Sequence, residues 1–209
     1  MKTIEELTDN LVRQTCELMV AVRKVRECNY VDDAQDFEML TDRLEMLSEK
    51  YACSVRDFSV LTFTSNRCET FDKAAQVQGI EIHKDNNTVI VDLPQLLPRK
   101  KGKQHDYICE PLRYKFEEIS ETKNLKIRDK AVVCIIHIYD NVNKKAKCYD
   151  YDNLESKKVL DIISLFTLTD DAPKYCDVYQ TVKLGDCDKT RIVIMPADEF
   201  PAKILSMIF

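Results

Sequence analysis

Asp150-Tyr151-Asp152-Asn153 and, farther along, Asp170-Asp171 place four carboxylates in one stretch of 22 residues. Carboxylates in pairs are what a hard divalent cation requires: Mg²⁺ takes oxygen ligands, keeps several of its waters, and is held by as few as two or three side chains from different segments. Two such ions roughly 3.5–4 Å apart can generate a nucleophilic water and neutralise the leaving oxygen of a phosphodiester. The same residue types also cap helices and close turns, which is the commoner use of an isolated Asp-x-Asp-Asn.

The elements around these residues decide which use applies. Lys130 to Tyr139 (KAVVCIIHIY) is a β-branched, mostly apolar run that reads as a buried strand. At an extended segment residues i and i+2 point the same way, so Asp150 and Asp152 can share a face. Asn153, or Asp152 itself, is suited to cap a helix over Leu154–Phe166, and Asp170 and Asp171 come after that helix. A helix of that length carries the chain about 20 Å, so the second pair meets the first only if the chain folds back. Two further strand-like runs, Tyr175–Lys183 and Thr190–Met195, would return it to the same sheet.

The order of these pieces resembles the RusA family of Holliday-junction resolvases, metal-dependent endonucleases found largely on phages and other mobile elements. The family runs D-x-D-N, a helix with a Lys and an Asp, a D-D-A, a strand ending in Lys, and a last strand. Here the order is D150-Y-D-N-L-E-S-K-K-V-L-D161, T169-D-D-A-P, D177-V-Y-Q-T-V-K183 and R191-I-V-I-M. Upstream, V89-I-V-D-L-P94, Pro98-Arg99-Lys100-Lys101 and Tyr107, Pro111 and Tyr114 are similar to the family's opening strand, basic loop and first helix. The resemblance covers residues 76 to 196. The chain is also similar to an uncharacterised family carried by mobile elements of Gram-positive bacteria, which implies no activity.

The RusA resemblance implies an α/β (α+β) domain with a mixed sheet and a Mg²⁺- or Mn²⁺-dependent endonuclease for branched or structured DNA, acting in recombination and repair. Asp150, Asp152 and Asp171 are the expected metal ligands, with Asp170 able to substitute for Asp171. The family's lysine falls three residues after the asparagine, where Ser156 stands here, which leaves Lys157 or Lys158 to stabilise charge on the scissile phosphate. Asp161 is expected on the helix surface or behind the ligands. The alternative from another class is a catalytically silent nucleic-acid-binding or inhibitory protein of a mobile element, acting on DNA, RNA or a nucleoprotein complex.

Composition narrows the remaining classes. The chain has 209 residues, 32% of them charged and 44% hydrophobic, with a net charge of −5. No apolar run approaches the roughly 20 residues that cross a membrane, and MKTIEELTDN has no signal-peptide core, so a soluble cytoplasmic protein is expected. Nine cysteines with no C-x-x-C read as reduced, mostly buried thiols. Scattered His83, His105 and His137 argue against zinc and against a Cys–His nucleophile, and three glycines leave no P-loop or dinucleotide fingerprint. The negative charge is concentrated in residues 1–75, with ten Lys and Arg against fifteen Asp and Glu; residues 76–209 are balanced. Arg99, Lys100, Lys101 and Lys103 form the concentrated basic loop expected to contact phosphates.

Residues 1–75 read as a separate helical module. Thr3-Ile-Glu-Glu6 fits a capping box, and Ile4, Leu7, Leu11, Leu18, Val22 and Val25 recur at helical spacing. After a turn at Asn29–Asp33, Phe37, Leu40, Leu44, Leu47 and Tyr51 form a second stripe, giving a helical hairpin, and a third helix from Ser54 would carry Phe58, Leu61 and Phe63. The stripe serves as packing core, dimer contact or partner-protein contact; a homodimer would match the two-fold symmetry of a DNA junction. Gln76–His83 is expected to link this module to the α/β domain at 76–209, with a turn at Asp85–Asn87.

Overall fold

The apolar run before the Asp-x-Asp turn is stable as a strand only where both of its faces are covered. The computed structural model describes residues 3–28, 34–62, 67–98, 106–141 and 150–208, and in it that run is flanked by strands on both sides. Strands β1 (Glu81–Asp85), β2 (Thr88–Leu93), β3 (Ala131–Asp140), β4 (Cys176–Gly185) and β5 (Lys189–Pro196) form one mixed sheet in the order β1-β2-β5-β3-β4. Among the described residues six α-helices accompany it: α1 (Ile4–Glu27), α2 (Ala34–Thr62), α3 (Arg67–Gln78), α4 (Asp106–Thr122), α5 (Ser156–Thr167) and α6 (Phe200–Ile208). The protein is therefore α+β, with a helical N-terminal segment and a five-stranded mixed sheet.

Nine of the ten residues of β3 are buried. It pairs antiparallel with β5 and parallel with β4, Ala131 opposite Cys176 and His137 opposite Val182. A parallel pair needs a crossover, and α5 supplies it between β3 and β4. On one face Cys134, Ile136, Ile138, Val193 and Met195 form a core cluster against which Ile90, Tyr179 and Phe200 pack. The other face of β3 carries Val133, Ile135 and His137, all fully buried, and the stacked Phe116 and Phe166 rings join α4 to α5 at 5.3 Å between centroids.

Turn chemistry follows the residues. Asn86 takes φ 53° between β1 and β2, the left-handed conformation a tight hairpin requires and asparagine tolerates. Gly79 (φ 75°) ends α3, with its N–H donating to Gln76 O and that of Ile80 to Ala75 O, a Schellman motif. That motif explains why the stretch expected as a link, Gln76–His83, is ordered instead as the end of α3, a turn and the start of β1. At Gly185 an added Cβ would meet Ile138 Cγ2 at 2.5 Å, so a side chain there would have to displace that of Ile138.

The chain divides into two compact units, one built on α1 and α2, the other on the sheet with α5 and α6; the divisions fall inside α3, after Thr70, and near the start of α4, after Tyr107. In the helical unit Thr3 and Glu6 make the expected capping box. Leu7, Leu11, Leu18 and Val25 are half-buried along the side of α1 that also carries buried Gln14 and Ala21, and Gln14 donates to Ser54 Oγ on α2 at 3.0 Å. The helix expected to start at Ser54 does not start there: α2 continues unbroken to Thr62, because nothing between Tyr51 and Leu61 is a glycine or a proline and Ser54 Oγ accepts from Gln14. Phe63 lies outside the described residues. The next helix, α3, begins at Arg67.

Glu49 of α2 is only 9% exposed, and burial together with Glu45 one turn away raises its carboxyl pKa to about 7. The folded chain thus holds this proton where the unfolded chain releases it at about 4.5, so stability is full below the lower value and is lost as pH rises through the upper one. Glu49→Gln should recover on the order of 2–3 kcal/mol above neutrality and little at low pH. Denaturant titrations of both proteins across this range test it; parallel pH profiles would show that Glu49 ionises without penalty.

Candidate functional site

The segment carrying the first carboxylate pair is held from beneath. Asp150 precedes a single 3₁₀ turn, Tyr151–Asn153, whose backbone closes by Asn153 N–H to Asp150 O at 2.9 Å and Leu154 N–H to Tyr151 O at 3.3 Å. Leu154 is fully buried and anchors the turn, while Asp150, Asp152 and Asn153 are exposed. The helix therefore begins two residues later than expected, at Ser156, and its N-cap is Glu155, without a side-chain hydrogen bond, in place of Asn153 or Asp152. The turn displaces the start because Leu154 must reach the core before the helix can begin. Asp150 makes no capping hydrogen bond either, so this carboxylate is not consumed by a helix end.

Tyr151, between the two aspartates, lays its ring over His137 of β3, centroids 5.6 Å apart. His137 is fully buried, with Nε2 3.4 Å from Gln180 Oε1, to which it donates in its Nε2–H tautomer. Its Nδ1 has no hydrogen-bond partner, and neither has Oγ1 of the fully buried Thr190, its directly paired neighbour on β5. Burial lowers the pKa of His137, holding the ring neutral. The sequence offered one sign of this polar inclusion, a lone histidine inside an otherwise apolar strand.

Lys157 and Lys158 are exposed on the first turn of α5, beside the Asp150–Asn153 turn. Glu155 N–H donates to Pro98 O at 2.8 Å, so the residue from which the basic run departs is fastened to the same place. Arg99, Lys100, Lys101 and Lys103 themselves lie outside the described residues. Asp161 is exposed on α5, as expected for the helix surface.

Asp170 and Asp171 are elsewhere. Twelve residues at roughly 1.5 Å each make α5 about 18 Å long, and the two aspartates come after its C-terminal end while Asp150 and Asp152 precede its start. That end is fixed by Ile127 N–H to Thr167 O at 2.8 Å and by Lys126 Nζ, which donates to Leu165 O at 2.8 Å and Leu168 O at 2.5 Å, a lysine serving the last carbonyls of a helix. Burial lowers the pKa of that lysine. Asp170 Oδ1 accepts from Ala172 N–H at 2.8 Å in a turn, and Asp171 is near enough to Cys176, the first residue of β4, to help Asp177 raise its thiol pKa, after burial as the main cause. The expected return of the second pair to the first does not occur within the chain. The parallel register fixes the reason: α5 has to carry the chain back to where β3 begins, so Asp171 arrives beside Ala131's partner Cys176 while Tyr151 sits over His137. Among the described residues no three His, Cys, Asp or Glu side chains are grouped as a metal site would need.

Residues 1–207 match the model of a family of unknown function, DUF6100. The chain belongs to that family. The match runs through the helical unit and the sheet alike, so the two are parts of one family architecture. No curated protein matches the chain. Among solved structures, the periplasmic domain of Helicobacter pylori MotB aligns with a TM-score of 0.34 and 10% identity, over 62% of this chain and 87% of that one, a likeness that bears on no functional argument.

The neutral state of His137 is testable. Because its folded pKa is depressed, the stability that its neutral ring permits is present above about pH 6.5 and is lost as pH falls below it, where the unfolded chain takes up the proton first. His137→Leu removes the titration and the unpartnered nitrogen together. The variant should lose less melting temperature than wild type between about pH 7 and pH 5; equal losses would mean that the ring does not titrate against folding.

Proposed function

We propose that this protein binds the phosphate backbone of branched or structured nucleic acid at the end of the α/β unit where α5 begins, with Mg²⁺ or Mn²⁺ bridging Asp150 and Asp152 to the bound phosphates. The observation that carries the reading is the hydrogen bond from Glu155 to Pro98. It fastens Pro98, the residue before the Arg99, Lys100, Lys101 and Lys103 run, to the turn that presents Asp150, Asp152, Lys157 and Lys158. Lysines beside a phosphate supply affinity that is independent of sequence and falls with salt. Two carboxylates there would repel the same phosphate, and a divalent cation held by both converts that repulsion into attraction, since Mg²⁺ commonly binds through one or two carboxylates plus phosphate oxygens.

In the second reading, the site belongs to a metal-dependent endonuclease like the RusA resolvases. It is favoured by Asp150 standing exposed and uncapped before the turn with a lysine within the next helical turn, the residue types that the resemblance calls for. It requires the second metal to be completed by groups from outside the protomer, because Asp170 and Asp171 stand at the far end of α5.

Fluorescence anisotropy with a labelled four-way junction, a linear duplex and a structured RNA separates these possibilities. Lys157→Ala with Lys158→Ala should flatten the slope of log K against log salt by roughly two, and an unchanged slope would remove this end from the interface. Wild type should bind more tightly in Mg²⁺ than in EDTA, and Asp150→Asn with Asp152→Asn should erase that difference while strengthening binding in EDTA; a metal response that survives the double variant overturns the bridging role.

The same reactions run on a gel read out hydrolysis. On the binding reading all three substrates remain intact in Mg²⁺ and in Mn²⁺, and Asp171→Asn binds as wild type does. Cleavage by wild type that EDTA, Asp150→Asn and Asp152→Asn each abolish would establish the endonuclease reading in its place.

A further inference from the structure

Helix α1 carries two apolar stripes, and α2 accounts for only one of them. Leu7, Leu11, Gln14, Leu18, Ala21 and Val25 recur at alternating steps of four and three and are buried or half-buried. One position along, Thr8, Val12, Thr15, Met19 and Val22 repeat the same steps, about 100° around the helix. This second stripe is open: Val12 is 59% exposed, Met19 64% and Val22 52%, with Ile4 extending it at 62%. An alternating four-three seam is the pattern by which one helix packs lengthwise against another.

The charges of α1 say what covers it. Glu5, Glu6 and Asp9 crowd its first half against Arg13 alone, whereas Arg23, Lys24 and Arg26 crowd its last turns against Glu27 alone, with Glu17 between the two groups. On the outer flank of the open stripe stand Glu5 and Asp9 near one end and Arg23 near the other, with Arg26 continuing the stripe itself; all four are exposed. A second copy of α1 laid antiparallel places acid against base at both ends, and a parallel copy places acid against acid. Its most central exposed pair, Val12 and Met19, is symmetric about the middle of the helix. A two-fold axis between Thr15 and Cys16 sets Val12 beside the partner's Met19, Thr8 beside the partner's Arg23, and Glu5 and Asp9 beside the partner's Arg26 and Arg23. We propose that the open stripe of α1 is a homodimer interface in which two copies of the chain pair their α1 helices antiparallel. The interface uses Val12 and Met19 at its centre, with Val22 beside the partner's Asp9 toward its edge, whereas the Leu11/Leu18 side of α1 is turned inward and is spent within the chain. This proposal does not depend on the nucleic-acid reading.

Sedimentation velocity of the full chain tests it. Wild type should be dimeric at micromolar concentration, and Val12→Glu with Met19→Glu, both exposed and so harmless to the fold by circular dichroism, should weaken the dimer at least about tenfold by leaving charge in an apolar seam. Arg23→Glu alone should also weaken it, and adding Asp9→Arg should restore it, as only the antiparallel pairing predicts. Cys16, exposed beside the proposed axis, gives a second readout: a short bismaleimide should link two wild-type chains and fail with Cys16→Ser. A wild type that is monomeric at concentrations on the order of 100 µM, or a dimer untouched by Val12→Glu with Met19→Glu, would overturn the interface. Failure of the charge-reversed pair to restore association would overturn its antiparallel geometry.

Discussion

The burial of β3 on both faces is the constraint on which the rest of the α/β unit depends. Each fully buried Val or Ile contributes about 1.5–3 kcal/mol, and Val133, Cys134, Ile135 and Ile136 are enclosed in succession. Leaving one imidazole nitrogen and one hydroxyl without partners costs about 1–3 kcal/mol each, so the strand can carry His137 opposite Thr190 and still be strongly favoured inside. A strand covered on both faces needs helices or strands above, below and beside it. Its parallel partner β4 can be reached only through a crossover, and the crossover is α5.

That one connection governs the charged residues. Since α5 must bring the chain back to the beginning of β3, it separates the residues before it from those after it by its own length. Asp150, Asp152, Lys157 and Lys158 stay with the Pro98 hydrogen bond at one end, and Asp170 and Asp171 become turn residues at the other. Tyr151 over His137 holds the first group in place, and Lys126 closes the carbonyls of the helix at the second. The first end thus presents two exposed carboxylates beside two exposed lysines.

The helical unit obeys a different balance. Two helices packed along one seam leave many apolar residues half-exposed, as Leu7, Leu11, Leu18, Leu40, Leu44 and Leu47 all are. A polar contact inside that seam, Gln14 to Ser54, gives the hairpin a preferred register while adding little to its stability. The open stripe beside the seam is a surface of the kind that a further helix covers.

Much of this was legible in the residues. The capping box at Thr3 and Glu6, the strand at Ala131–Asp140, both strands after α5, and the asparagine turn between β1 and β2 are local features, set by backbone preference and by whether apolar residues recur every two or every three to four positions. The late start of α5 was hidden, since Leu154 looks the same as a first helical residue and as an anchor. The unbroken α2 is the opposite case: the break expected at Ser54 had no glycine or proline to cause it. Whether Asp171 would meet Asp150 depended on the direction in which β4 pairs with β3, and no spacing in the sequence encodes it. Parallel and antiparallel partners have the same two-residue period, so the sequence determined which residues could be ligands, and the register of β3 with β4 alone decided which of them share an end.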